Sequence, residues 1–363
     1  MGKQAFLILE DGSWYEGEAF GSEASSYGEV VFNTSMTGYQ EILTDPSYAG
    51  QIVIPTYPMV GNYGINGENM ESRGTHVAGF AVREHSLHPS HTLSTMTLNE
   101  YLASQGITGI SGIDTRAVTR RLRVAGVMMG MVAVGTSPEE FLAQIAEMPR
   151  YGNVDFVAGV STEECYSWDG PGSQQDGPLI LVSDYGLKYN ILRLLRSRGC
   201  RVIALPVQAS SKDILALKPS GVLLSPGPGD PALLDYVVET TRGLVGQVPM
   251  MGICLGHQVI ARSLGGSTFK LKFGHRGGNH PVRELDTGRV HITAQNHGYA
   301  VDAKSLPSEL EVSHVNLNDD TVEGIRHREL PIMSIQYHSE AAPGPQDNVY
   351  LFDKFLEMVR ANN

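Results

Sequence analysis

The sequence predicts an α/β protein in two parts. The second half is a doubly wound, mostly parallel sheet with helices on both faces, and a mixed α/β domain rich in strands precedes it. After residue 178, short apolar runs alternate with segments of helical length, which is the pattern of a parallel sheet. Before residue 150, strand-like runs are separated by Gly, Pro and Asn turns. A length of 363 residues also suits two domains.

The first domain is predicted to span residues 1–150. Its strands are predicted at 5–9, 29–33, 51–56 and 76–83, and its helices at 98–104, 115–124 and 137–147. Asp114 is the expected N-cap of the second helix, and Pro138 suits the first position of the third.

Residues 151–177 are predicted to form a linker, because 162–177 are polar, rich in Gly and without sustained periodicity. The second domain then occupies 178–363. Its strands are predicted at 178–183, 201–206, 221–224, 249–253 and 331–336, and its helices at 188–198, 232–244 and 256–264.

Composition excludes several classes of function. A net charge of −12 argues against a nucleic-acid-binding protein, and the run Arg120, Arg121 and Arg123 is interpreted as a solvated helix face. The N-terminus lacks the long apolar core of a signal peptide, and no apolar run approaches the length of a membrane span. Three widely spaced cysteines indicate neither a disulfide framework nor a zinc site. These features favour a cytoplasmic protein.

Cys254 is the strongest candidate for a catalytic residue. The segment 252–256, Gly-Ile-Cys-Leu-Gly, lies between a predicted strand and a predicted helix and has the form of a nucleophile elbow. The helix N-terminus favours a thiolate, and the N–H group of Leu255 could stabilise an oxyanion. The alternative, a cysteine that is merely a small buried apolar residue, does not explain the two flanking glycines.

His338 and Glu340 follow the last predicted strand and are two residues apart. In extended backbone this spacing projects both side chains to the same side. Glu340 could then orient the imidazole of His338 as the third member of a triad with Cys254. A surface His beside a solvated Glu is the alternative.

Other motifs are weaker. A Gly-Pro-Gly loop at 227–229 could present N–H groups to a substrate, although such loops are ordinary turns. His85, His88 and His91 have no completing ligand and are interrupted by Pro89, so an ordinary polar loop is favoured over a metal site.

His257 lies on the helix after Cys254 and is not expected to be the base. His275, Arg276 and His280 are expected to shape a loop near the active site or a partner interface.

The motifs SPGPGDP, GICLGHQ and QYHSE, in that order, resemble class I glutamine amidotransferases of the triad type. The segments NTSMTGYQEILTDPSYAGQIV, GIDTRAVTRRLR and FGHRGGNHPV extend the resemblance over nearly the whole chain. They are similar to the small, glutaminase subunits of carbamoyl-phosphate synthetases.

This resemblance implies roles for particular residues. Cys254 is the implied nucleophile, His338 the general base and acid, and Glu340 its orienting partner. The residues implied to contact bound L-glutamine are Ser47 from the first domain and, from the second, Gly227, Gly229, Leu255, Gln258, Asn296, Gly298 and Tyr299. Ser225-Pro226 and Ser339 depart from the usual family residues. Ser339 replaces a proline that would fix one backbone angle, so it could loosen the geometry of His338 and Glu340.

The resemblance also implies a partner, which the first domain would contact and with which this chain would form a heterodimer or a higher oligomer. A large synthetase subunit would receive the ammonia and use it with bicarbonate and ATP to make carbamoyl phosphate for pyrimidine and arginine biosynthesis. No cofactor or metal is expected in this chain, and ATP and Mg are expected in the partner, since the sequence has no Walker A motif. The alternatives are another triad amidotransferase subunit such as that of anthranilate synthase, a free-standing hydrolase, and a non-catalytic regulatory subunit.

Overall fold

The computed structural model describes residues 3–135, 137–168 and 176–362. The chain divides into two compact units. The first comprises Met1–Val154 together with Lys272–Arg276, and the second comprises Asp155–Leu271 and Gly277–Asn363. Among the described residues, no helix has the length and apolar character required to cross a bilayer.

The first unit is built on a closed barrel, in the order β1-β2-β8-β6-β4-β3-β9. Its strands pair both ways, since β3 runs parallel to β4 and antiparallel to β9. The strands of this unit are β1 (Gln4–Leu9), β2 (Trp14–Gly21), β3 (Ser26–Asn33), β4 (Gln51–Pro55), β5 (Met59–Val60), β6 (Gly79–Ala81), β7 (Glu84–His85), β8 (Thr108–Ser111) and β9 (Met128–Val134).

The α-helices described in this unit are α1 (Tyr39–Thr44), α2 (Leu98–Ser104), α3 (Thr115–Ala125) and α4 (Pro138–Glu147). Helix α2 begins with a capping box between Thr97 and Glu100. The Asp114 side chain accepts a hydrogen bond from Ala117 N and caps α3, which confirms the prediction from sequence. Alternate residues of the strands enter two separate apolar clusters, one of which includes residues of α1 and α2 and the other residues of α3.

The second unit contains a ten-stranded sheet, in the order β10-β12-β11-β13-β14-β19-β18-β17-β15-β16. The five strands from β12 to β19 in this order are parallel to one another. The strands are β10 (Tyr166–Ser167), β11 (Leu179–Asp184), β12 (Arg201–Pro206), β13 (Gly221–Leu224), β14 (Met250–Ile253), β15 (Thr268–Glu284), β16 (Val290–Val301), β17 (Leu310–Asn316), β18 (Val322–His327) and β19 (Ile332–Ile335). The helices are α5 (Val157–Val160), α6 (Tyr189–Ser197), α7 (Ser211–Ala216), α8 (Asp235–Arg242), α9 (Leu255–Ser263) and α10 (Tyr350–Ala361).

Helices cover both faces of this sheet. Along β13, Val222 and Leu224 enter one apolar cluster and Leu223 enters the other, because successive side chains of a strand point to opposite faces. The first cluster includes residues of α7, α8 and α9, and the second includes residues of α6 and α10. The predicted fold class is therefore confirmed.

Two features of the second unit differ in detail from the sequence interpretation. The sheet extends beyond β19 through antiparallel strands, beginning with β18 and β17. Within the predicted linker, residues 155–168 belong to the second unit, and β10 pairs with the sheet edge at β12. Residues 169–175 of that predicted linker lie outside the described residues.

Candidate active site

Cys254 occupies a sharp turn between β14 and α9. Its backbone angles are φ 53° and ψ −104°, which a residue with a side chain seldom adopts. Such a conformation costs about 1–3 kcal/mol and persists only where the surroundings enforce it. Cys254 is 2% exposed, and its N–H group donates to the carbonyl of Ile335 on the neighbouring strand β19.

The glycines at either side of Cys254 are required by close packing. A Cβ atom on Gly252 would lie 2.6 Å from the backbone of Gly256, and one on Gly256 would lie 2.2 Å from the carbonyl oxygen of Leu224. The turn can therefore close against β13 only because both residues lack a side chain. The sequence Gly-x-Cys-x-Gly is thus explained by packing as well as by its resemblance to a nucleophile elbow.

Strand β16 supplies two carbonyl groups to this region. The Cys254 thiol donates to the carbonyl of Asn296, with a sulfur–oxygen distance of 3.7 Å. The backbone N–H of His338 donates to the carbonyl of Ala294, two residues earlier on the same strand. One strand therefore holds both Cys254 and His338, although they are far apart in sequence.

His338 and Glu340 are in direct contact. The distance from His338 Nδ1 to Glu340 Oε1 is 2.6 Å, and both side chains are almost completely buried. The replacement of the usual proline by Ser339 does not prevent this contact. The other nitrogen of the ring, Nε2, is buried and makes no hydrogen bond of normal geometry among the described residues.

Lys188 is a third charged member of this cluster, and the sequence interpretation missed it. Its Nζ lies 3.1 Å from Glu340 Oε1 and donates to the carbonyl of Ala341, while the side chain is 2% exposed. It immediately precedes α6, where a lysine ordinarily extends into water. Asn190 on the same helix donates to the carbonyl of Glu340. Residues 188–190 therefore hold the backbone that carries Glu340.

The pKa values in the cluster are displaced by this arrangement. Burial raises the pKa of Glu340, but the charges of Lys188 and His338 outweigh burial and lower it. Burial lowers the pKa of His338, but the carboxylate of Glu340 and the nearby sulfur of Cys254 raise it well above its usual range. The protonated form of His338 is accordingly favoured, beside a carboxylate that stays ionised.

The residues predicted to bind glutamine in the second unit lie in the same region as Cys254. Gln258, on the first turn of α9, donates to the carbonyl of Tyr299 and to the side chain of Gln336 at 2.8 and 3.0 Å. The ring of Tyr299 is buried, and Lys270 lies over it. Gly298 separates Tyr299 from His297 on β16. Their contacts with glutamine stay predictions.

The Gly-Pro-Gly loop follows β13 and packs beside the elbow. A Cβ atom on Gly227 would lie 2.3 Å from the carbonyl of Tyr185 and 2.7 Å from a methyl group of Leu255. Gly229 has φ 92°, which favours glycine. Ser225 accepts from Tyr185 N and donates to the carbonyl of Pro226, so this departure from the family pattern has its own internal support.

Ser47 belongs to the first unit. It lies in a short 3-10 turn, Pro46–Tyr48, whose N-cap is Asp45, and the Asp45 side chain accepts from Ser47 N. The hydroxyl of Ser47 is buried and has no partner among the described residues. Its predicted contact with glutamine stays a prediction.

The remaining histidines have other surroundings. His257 is completely buried, its Nδ1 lies 2.9 Å from the hydroxyl of Ser334, and burial together with the charge of His314 lowers its pKa to about 3. A neutral ring with one nitrogen bound to a serine agrees with its exclusion as the base. His85 stacks on the ring of Phe20. Arg276 donates to the carbonyl of Phe273. The prediction of a loop at His275, Arg276 and His280 is wrong, because all three residues lie in strand β15. Their expected place near the active site or a partner interface stays a prediction.

Comparisons with known proteins identify two families along the chain. Residues 7–132 match the family described as "Carbamoyl-phosphate synthase small chain, CPSase domain". Residues 181–358 match "Glutamine amidotransferase class-I". Among solved structures, the chain matches that of a putative GMP synthase subunit from Thermoplasma acidophilum, with 21% identity and a TM-score of 0.46; the match covers 52% of this chain and 97% of that chain.

Curated relatives match over the whole length. A carbamoyl phosphate synthase small chain from Bacillus caldolyticus is 51% identical, and the match covers 98% of this chain and 97% of the relative. Those from Solidesulfovibrio magneticus and Aquifex aeolicus are 50% and 46% identical, with coverage of 98% of both chains for the former, and of 99% of this chain and 100% of the relative for the latter. The chain therefore belongs to the family of carbamoyl phosphate synthase small chains, with a class I glutamine amidotransferase domain.

Proposed function

We propose that this chain hydrolyses L-glutamine through a thioester on Cys254 and delivers the ammonia to a large synthetase subunit. That subunit would use bicarbonate and ATP, with Mg, to make carbamoyl phosphate for pyrimidine and arginine biosynthesis. The proposal assigns no cofactor or metal to this chain, and it locates the reaction in the cytoplasm.

The first half-reaction forms the thioester. The sulfur of Cys254, as thiolate, attacks the side-chain amide carbon of glutamine, and the resulting oxyanion is stabilised by N–H groups such as those of Leu255 and Gly229. As the carbon–nitrogen bond breaks, the leaving nitrogen takes a proton from His338 and departs as ammonia. The γ-glutamyl group then remains on Cys254.

The second half-reaction releases glutamate. His338 is now neutral and removes a proton from water as the water attacks the thioester carbon. The carbon–sulfur bond breaks, Cys254 is regenerated as thiolate, and His338 is again protonated. The balance is glutamine plus water giving glutamate and ammonia.

One observation carries this proposal. The strained cysteine at the elbow interacts electrostatically with a buried histidine, and that histidine is held by a carboxylate which Lys188 neutralises. Positively charged His338 suits the protonation of a leaving nitrogen. A surface His beside a solvated Glu has neither the burial nor these partners.

Covalent labelling tests the assignment of the nucleophile. An electrophilic glutamine analogue, such as a diazo- or chloroketone, should alkylate Cys254 and leave Cys165 and Cys200 unmodified, as read by peptide mass spectrometry. Excess L-glutamine should protect Cys254. Labelling of another residue, or labelling that glutamine does not slow, would contradict the proposal. Cys165 is a useful control because it is exposed but has none of the partners described above.

A further inference from the structure

Helix α3 carries an arginine stripe, defined as Arg116, Arg120 and Arg123. At about 3.6 residues per turn, the spacing i, i+4, i+7 places these side chains within an arc of about 60° on the helix. All three residues are exposed. The opposite side of the helix, with Thr115, Val118 and Leu122, is buried.

The described residues offer no partner to the guanidinium groups of the stripe. Among the residues that the structure describes, none of the three forms an ion pair or a side-chain hydrogen bond. Their neighbour Arg121 points to the other flank of the helix and pairs with Asp11 at 2.5 Å. Among the described residues, the arginine of this helix that forms an ion pair is therefore Arg121, which lies outside the stripe.

The helix itself gains little from the stripe. Arg116 lies in the first turn, where the helix dipole disfavours a positive charge, whereas Arg123 lies in the last turn, where the dipole favours one, so these two effects oppose each other. Like charges at i, i+4 also repel each other, at a cost of a few tenths of a kcal/mol per pair. A chain with 39 acidic and 27 basic residues nevertheless gathers on one helix face three cations that have no ion-pair partner in the described part of the chain.

We propose that the arginine stripe of α3 is a docking surface for an acidic face of the large synthetase subunit. This inference rests on the proposed function, which supplies the partner. A planar guanidinium matches a carboxylate with two parallel hydrogen bonds, and three in a row along about 10 Å of helix suit a row of Asp and Glu side chains. A nucleic acid fits less well, because the net charge of −12 would repel a long polyanion beyond the stripe.

The test compares association of the full chain with the purified large subunit. The variant R116E/R120E/R123E should associate at least about tenfold more slowly than the wild type at low salt, and the difference should shrink at high salt. The variant R116K/R120K/R123K should keep the association rate but dissociate faster, since lysine keeps the charge and loses the fork geometry. Circular dichroism and glutamine hydrolysis by the isolated chain should be unchanged, and single reversals replace the triple variant if it does not fold.

Arg73→Glu is the matched control for the single reversal Arg120→Glu, because Arg73 is an exposed arginine of the same unit outside the stripe and both substitutions change the net charge equally. An effect of Arg73→Glu equal to that of Arg120→Glu would show that net charge alone matters and would overturn the inference. So would wild-type rates and salt dependence in the triple reversal, or binding of DNA instead of the large subunit through the stripe. If the wild-type chain does not bind the large subunit at all, the proposed partnership fails and this inference fails with it.

Discussion

At the scale of single residues, the site depends on a row of buried charged side chains, each in contact with the next. Lys188 neutralises Glu340, Glu340 holds His338, and His338 is protonated beside Cys254. Burial alone would oppose every charge in this series, so each is stable only because the next one is present. Removal of one member should therefore affect the whole series.

Replacement of Lys188 by Met tests this dependence. It should leave Glu340 buried without its neutralising charge, and so lower the free energy of unfolding by about 3–5 kcal/mol and reduce the turnover of glutamine. Urea denaturation and a glutaminase assay measure the two effects. Lys212→Met, at an exposed lysine of the same unit, is the control and should change neither. Full activity in Lys188→Met would show that Glu340 does not need this partner.

Glu340→Gln tests the source of the displaced pKa of His338. In the wild type this pKa is raised to about 10, so the ring is protonated at neutral pH and loses its proton only in the alkaline range. The carboxylate of Glu340 is the largest charge that offsets the effect of burial on the pKa of His338. Without it, burial should lower this pKa, and a larger fraction of the rings should be neutral. The turnover of glutamine should fall by about 10²–10⁴-fold.

NMR of the imidazole nitrogens, assigned with His338→Asn, follows this titration. An unchanged midpoint in Glu340→Gln would mean that Cys254 alone displaces the pKa. The stability that His338 contributes should also be fully present below its ordinary pKa of 6.5 and be lost as the pH rises through about 10.

At this scale the catalytic candidates could be predicted from sequence, whereas the lysine that neutralises Glu340 could not. Cys254, His338 and Glu340 lie in short local patterns whose meaning depends on a turn or on extended backbone. Lys188 lies about 150 positions away, and nothing local distinguishes a buried lysine from a solvated one. Only the fold brings it to Glu340.

At the scale of elements, the elbow requires that β14 and α9 approach β13 very closely. Gly256→Ala should destabilise the protein by about 1–3 kcal/mol, because its methyl group would meet the carbonyl of Leu224. It should also displace the cysteine and lower turnover. Thermal denaturation and the glutaminase assay detect these effects.

Gly159→Ala is the control for this substitution, since a Cβ atom there meets nothing within 4 Å and the residue has no positive φ. It should be neutral or slightly stabilising. Equal destabilisation by both substitutions would indicate that loss of glycine as such, and not the contact with Leu224, is responsible.

Prediction of the elements succeeded where the hydrophobic pattern was continuous. The strands at 201–206 and 221–224 were predicted with the observed bounds, because buried parallel strands are uninterrupted apolar runs. The antiparallel strands β15 to β18 were not predicted. Strand β15 contains the run FGHRGGNH, whose Gly and His residues give no continuous apolar pattern, and β15 pairs with β17, which is not the next strand in sequence.

At the scale of the whole molecule, two family matches cover most of the chain, and relatives near 50% identity cover nearly all of it. The division of labour between this chain and a large subunit is the central claim. It separates the production of ammonia, which needs Cys254, from its use, which does not.

The most direct test uses the complex of this chain with the large subunit and compares glutamine with ammonia as the nitrogen donor. Formation of carbamoyl phosphate is measured for the wild type and for Cys254→Ser. We predict that Cys254→Ser abolishes synthesis from glutamine while synthesis from ammonia continues at the wild-type rate. Unimpaired use of glutamine by Cys254→Ser, or loss of both activities in an intact complex, would contradict the account.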